Sequence, residues 1–177
     1  MIAVRHKVDF LQMLLEEDPN RRFVLAGHSI GAHICMRILK DLPDASRLVL
    51  RTFLLFPTIM HIGSSPNGLS LAPLFRPPVR RAVACVAWLL SCVPRPMLRL
   101  VMKLHLGDHP EIVAAAQHLI DYDVANNCLF LAGHEMKEVL DLDVTLAKQH
   151  LPRLVFYYGQ EDGWVPMEFY HRLRELL

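Results

Sequence analysis

Cysteine is scarce in this sequence, and the few cysteines lie far apart. The chain has four cysteines in 177 residues, and no two of them form a Cys-x-x-Cys pair. This spacing predicts reduced, buried thiols rather than a disulfide framework or a metal site. The four are Cys35, Cys85, Cys92 and Cys128. Asn-x-Ser/Thr sequons are absent, and Met1 to Phe10 lacks the apolar core of a signal peptide, so we expect a protein that faces the cytosol.

Excess charge of either sign is also lacking. Lys and Arg number 19 against 18 Asp and Glu, a formal net charge of +1, so the composition provides no overall attraction to nucleic acid. The apolar share is 53% and the mean hydropathy is +0.25, which means that either much of the chain is buried or part of it meets lipid. The length suits one domain with a substantial core. The oligomeric state is not predicted.

No metal or cofactor motif is complete. His105, His109 and His118 have loosely metal-like spacing, but Pro110 interrupts any shared helix and no carboxylate pair accompanies them. We predict no metal site and no cofactor.

The pentapeptide Gly27-His28-Ser29-Ile30-Gly31 carries the strongest chemical signal. It follows an apolar run from Phe23 and precedes a helix-like segment, Ala32 to Lys40, which is the setting of a nucleophile elbow. In such a turn the serine adopts a strained backbone conformation that exposes its hydroxyl above the sheet. We expect Gly27 and Gly31 to be required because a side chain at either position would collide with neighbouring backbone. The alternative is a glycine turn capped by a serine.

The remaining periodicity indicates α/β order. Residues 2–17 predict an amphipathic helix, followed by a strand from Arg22 into the elbow. The run Leu48 to Phe56 is almost wholly apolar and predicts a parallel strand covered on both faces. A later strand, Leu154 to Tyr158, precedes a final helix over Met167 to Leu177. The prediction is a single α/β domain with a mostly parallel sheet.

Residues 61–150 separate the last two strands and predict a helical cap or lid insertion that begins with a loop over His61 to Gly68. Its apolar stretch, Ala82 to Val93, is too short for a bilayer span, which takes about 20 residues. Pro94 and Pro96 then predict a sharp bend, so residues near 82–103 form an apolar hairpin. Basic residues flank it: Arg76, Arg80, Arg81, Arg95, Arg99 and Lys103. Either the hairpin lies in a membrane interface or it closes over an active site.

The rest of the insertion predicts separate helical pieces over Ile112 to Ile120, Asn127 to Ala132 and His134 to Leu142. Leu131 to His134 repeats the Leu-Ala-Gly-His of the elbow, but it lacks the serine and the second glycine. This repeat is therefore not a second elbow.

A carboxylate follows the late strand, where an α/β-hydrolase places its triad acid. Asp162 fits this place and the order Ser before Asp. Its carboxylate would accept the Nδ1–H of a histidine and stabilise the imidazolium. Glu161 is the alternative acid, and the other interpretation of Asp162 is a turn residue that caps the last helix. Gly163 suits a tight turn, which favours Asp162.

Several motifs together resemble the lipid droplet-associated hydrolase family. They are the elbow at 27–31, Phe53 to Ile59, Ser65-Pro66-Asn67-Gly68, and Phe156 to Gly159 with Asp162 and Trp164. The resemblance implies a partial α/β-hydrolase fold and a serine esterase of lipid esters, of the sterol ester or acylglycerol class. It also implies residence on the cytosolic face of lipid droplets and endoplasmic reticulum, with Ser29 as nucleophile and Asp162 as charge-relay acid.

The resemblance also implies parts that this sequence does not contain. The N–H of Ile30 supplies one oxyanion donor, but nothing before Arg22 resembles the loop that supplies the second. Only His171 follows Asp162, and it lies in the very next helix rather than after a further strand. The sequence thus predicts a chain truncated at both ends and poorly active alone. The alternative function is a non-catalytic protein that binds the lipid-droplet surface through the hairpin.

Overall fold

The computed structural model describes residues 2–106 and 109–177, which form two compact units. The sheet unit holds the chain up to Leu69 and from Glu135 onward, and the helical unit is Ser70–His134. The helical unit is narrower than the insertion predicted over 61–150, because the residues at both ends of that range belong to the sheet unit.

The architecture is mixed α/β, as predicted, and is compatible with a partial α/β-hydrolase fold. The strands are β1 (Phe23–His28), β2 (Val49–Leu55) and β3 (Leu154–Tyr157), all parallel and in the order β1-β2-β3. The helices are α1 (Ile2–Glu17), α2 (Ile30–Asp41), α3 (Ala45–Leu48), α4 (Pro66–Leu71), α5 (Pro77–Ser91), α6 (Arg95–Leu106), α7 (Pro110–Leu119), α8 (Tyr122–Glu138), α9 (Val144–His150) and α10 (Met167–Leu176).

Local sequence explains the bounds of the first two helices. Val4, Val8 and Leu11 recur every three or four residues and form the buried face of α1. Helix α2 ends at Asp41 because Leu42 precedes Pro43, which disfavours helical backbone. Leu42 is extended, with φ −80° and ψ 120°.

One face of the sheet is buried within the part of the chain that the structure describes. Leu54 and Leu154 on that face join one core cluster with buried residues of α1, α2, α9 and α10. On the other face, Ala26, Phe53 and Val155 lie side by side, and Phe53 and Val155 are each 38% exposed. The prediction that β2 is covered on both faces is therefore wrong for the described residues. An apolar run reveals which residues can be buried, but not which helices lie over them.

The helical unit contains the predicted bent hairpin. The chain bends by 117° between α5 and the portion of α6 up to Leu104, with Pro94 at the break. By length and composition no single helix of the described chain could cross a membrane, whereas this bent pair passes the same test together.

Two local predictions in the middle of the chain are wrong. The pieces expected within Asn127 to Leu142 belong mainly to one continuous helix, α8, which extends through Gly133. A Cβ at Gly133 would lie 2.9 Å from the Cβ of Phe75, so the absence of a side chain permits close packing there. The segment His61 to Gly68 is a loop only in part, since it contains a 3-10 turn at Ile62–Ser64 and the start of α4.

The cysteines are free thiols, but most of them are not buried. Cys35 is buried on α2, whereas Cys85, Cys92 and Cys128 are exposed. The prediction of buried thiols thus holds for Cys35 alone. The three exposed cysteines lie on helices of the helical unit or at their ends, where few side chains are enclosed.

Candidate active site

Ser29 has the strained backbone of a nucleophile elbow. It joins β1 directly to α2, with φ 53° and ψ −122°, a region that non-glycine residues rarely occupy. Three backbone hydrogen bonds hold it there. Its N–H donates to the carbonyl of Leu55 (2.9 Å), and its own carbonyl accepts from the N–H of Ala32 (2.9 Å) and of Thr58 (3.4 Å). The predicted strand, turn and helix are confirmed.

The two elbow glycines differ in their surroundings. A Cβ at Gly27 would lie 2.3 Å from the carbonyl oxygen of Gly31 and 2.6 Å from the N of Ala32, so a side chain cannot fit. At Gly31, a Cβ would meet no described atom within 4 Å apart from chain neighbours and the backbone of α2. The steric expectation is confirmed for Gly27 and wrong for Gly31. The backbone at position 27 lies close to the backbone at Gly31. A Cβ would therefore collide at position 27 but not at position 31.

Ile30 is the first residue of α2. Backbone N–H groups in the first helical turn have no acceptor within the helix and carry partial positive charge. The Ile30 N–H therefore lies beside Ser29, where an oxyanion donor is required. His28, before the serine, is the exposed last residue of β1, and its ring contacts that of Phe56 edge-on at 5.6 Å.

Asp162 lies in the turn that follows β3. Its Oδ1 accepts hydrogen bonds from the N–H groups of Trp164 (2.7 Å) and Val165 (3.1 Å), which closes an Asx-type turn. Helix α10 begins later, with Pro166 as its N-cap residue, so Asp162 is not the cap of that helix. One carboxylate oxygen therefore shapes the turn while the other is not used by it. Glu161, the alternative acid, is exposed.

The parallel sheet brings Ser29 and Asp162 to one edge. Ser29 follows β1 and Asp162 follows β3, and the carboxyl ends of parallel strands share an edge. Phe56, which follows the central strand, connects the two turns. Its N–H donates to the Tyr157 carbonyl (2.8 Å), and a Cβ at Gly159 would lie 2.8 Å from its ring. Ser29 precedes Asp162 along the chain, which is the order of serine and acid in an α/β-hydrolase.

Histidines of the described chain do not complete a triad with these residues. Within that part, no histidine is hydrogen-bonded to Ser29 or Asp162. His171 is exposed on α10, with its ring against Tyr170 at 5.4 Å. The residues that the structure describes also contain no group of three or more His, Cys, Asp or Glu able to hold a metal. The side chain of His105 lies outside the described part.

Sequence comparisons show which family this chain belongs to. A family profile described as "Lipid-droplet associated hydrolase" matches residues 3–177. The chain belongs to this family. Relatives named lipid droplet-associated hydrolase include the chicken protein (33% identical over 175 residues) and the human protein (34% over 175 residues). The alignment covers 97% of this chain and 52% of each of those two relatives, so the chain spans about half their length. The Drosophila melanogaster relative is 30% identical, with 56% of its length covered. No solved structure matches.

Three further residues contact the turns of Ser29 and Asp162 and were not predicted to do so. Phe56 has φ 47°, and its ring contacts both the ring of His28 and the turn at Gly159. Thr58 donates its N–H to Ser29, and its hydroxyl is buried with no hydrogen-bond partner among the described residues. Asn67 contacts the turn of Asp162 through Gly163. The signal available in the sequence was their place in the Leu-Phe-Pro-Thr-Ile and Ser-Pro-Asn-Gly motifs.

Proposed function

We propose that this chain carries the nucleophile and the acid of a serine esterase that acts on lipid esters at lipid droplets. The observation that supports this most is the backbone of Ser29, whose φ of 53° is sustained by three hydrogen bonds. Strain of this kind costs about 1–3 kcal/mol and persists where the surrounding structure enforces it, often at active sites. The family name supports a hydrolase associated with lipid droplets.

The proposed chemistry follows acyl transfer. The Oγ of Ser29 attacks the ester carbonyl, and the N–H of Ile30 stabilises the oxyanion. Asp162 orients a histidine that takes the serine proton and then gives it to the leaving alcohol. Water resolves the acyl-enzyme. We expect the histidine to come from the part of the family's length that this chain does not cover.

The proposed substrates are sterol esters or acylglycerols, and the proposed location is the cytosolic face of lipid droplets and endoplasmic reticulum. An ester of this kind presents its carbonyl at a lipid surface, so the enzyme must work at an interface. No nucleic acid or cofactor enters the proposal.

Labelling with a fluorophosphonate probe tests the nucleophile. In the protein expressed from its complete reading frame, we expect labelling that Ser29→Ala abolishes and that Asp162→Asn slows by about 10⁴-fold, as in serine hydrolases whose acid is replaced by its amide. Undiminished labelling of the Ser29→Ala protein would place the nucleophile elsewhere. The same probe applied to residues 1–177 alone reports whether the general base lies within them. Full-rate labelling of that protein would make His171 the candidate base.

A second candidate function is non-catalytic binding to the lipid-droplet surface, and helix α6 favours it. Four apolar residues of α6, at positions i, i+3, i+4 and i+7, lie on one face and are 51–78% exposed: Met97, Leu100, Val101 and Leu104. The opposite face carries Arg95, Arg99 and Lys103. Such a helix suits a membrane interface, with apolar side chains among acyl chains and basic groups at phosphates. The two functions are compatible, since a lipid esterase must also reach its substrate.

Arg80 was predicted to be one of the basic residues that flank this hairpin, but its side chain binds within the helical unit. Its Nε donates to Asn126 Oδ1 at 2.9 Å, and its guanidinium lies 5.0 Å from the centre of the Phe130 ring. This arginine therefore ties α5 to α8 within the helical unit. Arg81, Arg95 and Arg99 are exposed.

A further inference from the structure

The motif Ser65-Pro66-Asn67-Gly68 has no role in the chemistry proposed above, yet it is rigidly built. Ser65 is fully buried, and its Oγ donates to the Ile62 carbonyl (2.7 Å) and accepts from the N–H of Gly68 (3.0 Å). The second bond caps the N-terminus of α4, and Pro66 suits the first helical position because no N–H is needed there. A Cβ at Gly68 would lie 2.4 Å from the Ile62 carbonyl oxygen, so only glycine fits this approach.

This rigid corner presents Asn67 to the turn that contains Asp162. The N–H of Asn67 donates to the carbonyl of Gly163 at 3.0 Å. The Asn67 amide also fills the space that a side chain at Gly163 would need, since a Cβ there would lie 2.6 Å from Oδ1 and 2.8 Å from Nδ2. Asn67 therefore contacts the residue directly after Asp162 through both its backbone and its side chain.

The turn is supported from three directions. Asp162 Oδ1 holds the N–H groups of Trp164 and Val165, and Val165 is buried. Phe56 packs against Gly159, whose own Cβ position lies 3.7 Å from the Cβ of Asp162. Asn67 supports the turn at Gly163. Replacing Asn67 with alanine would remove the amide atoms that lie against Gly163.

We propose that Asn67 is a positioning residue that holds the Asp162 carboxylate where it orients the catalytic histidine. This inference rests on the proposed function. A misplacement of about 1 Å at a catalytic group can cost about 100-fold in rate. We therefore expect the contact between Asn67 and Gly163, the residue next to Asp162, to have a measurable effect on the rate.

A double-mutant cycle tests the proposal in the protein expressed from its complete reading frame, with hydrolysis of p-nitrophenyl butyrate as the assay. We expect Asn67→Ala to lower kcat by about 10- to 100-fold with little change in KM. In an Asp162→Asn background, Asn67→Ala should have no further effect, because the group that it positions is already disabled. Asn127→Ala, the same change at an exposed position of α8, should leave kcat within about twofold.

The contrary results are distinct. An equal loss from Asn67→Ala in both backgrounds would mean a general structural effect and overturn the proposal, as would an unchanged kcat. If Asn67→Ala does not fold, Gly163→Ala disturbs the same contact from the other side and must give the same dependence on Asp162. Ser29→Ala separates the two hypotheses. Activity that survives Ser29→Ala refutes the proposed function itself, whereas activity lost in Ser29→Ala with an additive cycle refutes only the role of Asn67.

Discussion

At the scale of single residues, the elbow shows that a glycine in a sequence motif is not always required for steric reasons. Both glycines of Gly-x-Ser-x-Gly satisfy the pattern, but only Gly27 faces backbone too closely for a side chain. Gly31 lies in the first turn of α2, where alanine is the better helix former by up to about 1 kcal/mol. The requirement at each position therefore comes from its neighbours in space.

This difference predicts opposite effects of one substitution. Gly27→Ala should destabilise the protein by about 1–3 kcal/mol, the usual cost of overpacking, because its Cβ would lie 2.3 Å from the Gly31 carbonyl oxygen. Gly31→Ala should be neutral or slightly stabilising. Urea unfolding of the two variants measures both changes, and equal losses of stability would contradict the distinction drawn here.

At the scale of elements, the hairpin of α5 and α6 carries the exposed apolar residues on which the proposed lipid binding rests. Trp88, Leu89 and Leu90 at the end of α5 are 42–59% exposed, close to the bend. Apolar side chains in such numbers on adjacent helices exceed the scattered exposure that is normal on a soluble surface. This exposure is the reason that lipid binding is proposed for the hairpin.

Charged substitutions test the lipid interpretation. Replacing Trp88, Leu89 and Leu90 together with aspartate should lower the droplet-bound fraction by more than about tenfold, since each apolar side chain transferred into lipid contributes about 1.5–3 kcal/mol. Fluorescence microscopy of tagged protein in lipid-loaded cells measures targeting. Aspartate at Phe10 and Met13, which are exposed apolar residues of α1, is the matched control. Targeting retained by the hairpin variant would favour a simple lid.

At the scale of the whole molecule, stability depends on pH through groups buried in the core of the sheet unit. Burial raises the pKa of the Cys35 thiol from 9.0 to about 11. The folded state thus favours the neutral thiol, and its stabilising effect is complete below pH 9.0 and lost as pH rises toward about 11. Burial also raises the pKa of Tyr158, which acts in the same direction from about pH 10 upward.

We therefore expect the urea midpoint to fall between pH 9.0 and about 11, and Cys35→Ala to reduce the initial part of that fall. The fluorescence of Trp164 in a Trp88→Phe background reports the sheet unit alone, because these are the two tryptophans of the chain and only Trp164 lies in that unit. A midpoint that stays constant across this range, or that falls identically in Cys35→Ala, would contradict the assignment to Cys35.

Features whose causes lie within a few residues could be predicted from the amino-acid sequence. Examples are the strand, serine and helix of the elbow, the end of α2 before Pro43 and the bend at Pro94. Glycine, proline and hydrophobic periodicity indicate such features because they act on the adjoining backbone. The place of Asp162 after a late strand was also readable, since parallel strands carry functional residues at their carboxyl ends.

Features that depend on neighbours distant in sequence could be seen only in the folded chain. Four features depend on segments that are remote in sequence. They are the exposed face of the sheet, the space around Gly31 that a Cβ could occupy, the exposure of Cys85 and the contact between Asn67 and Gly163. Burial is a property of what packs against a residue, and an apolar run shows only that a residue can be buried. The turn that contains Asp162 and the Ser-Pro-Asn-Gly motif are almost a hundred residues apart in the chain. For the same reason, their contact could not be predicted from the sequence.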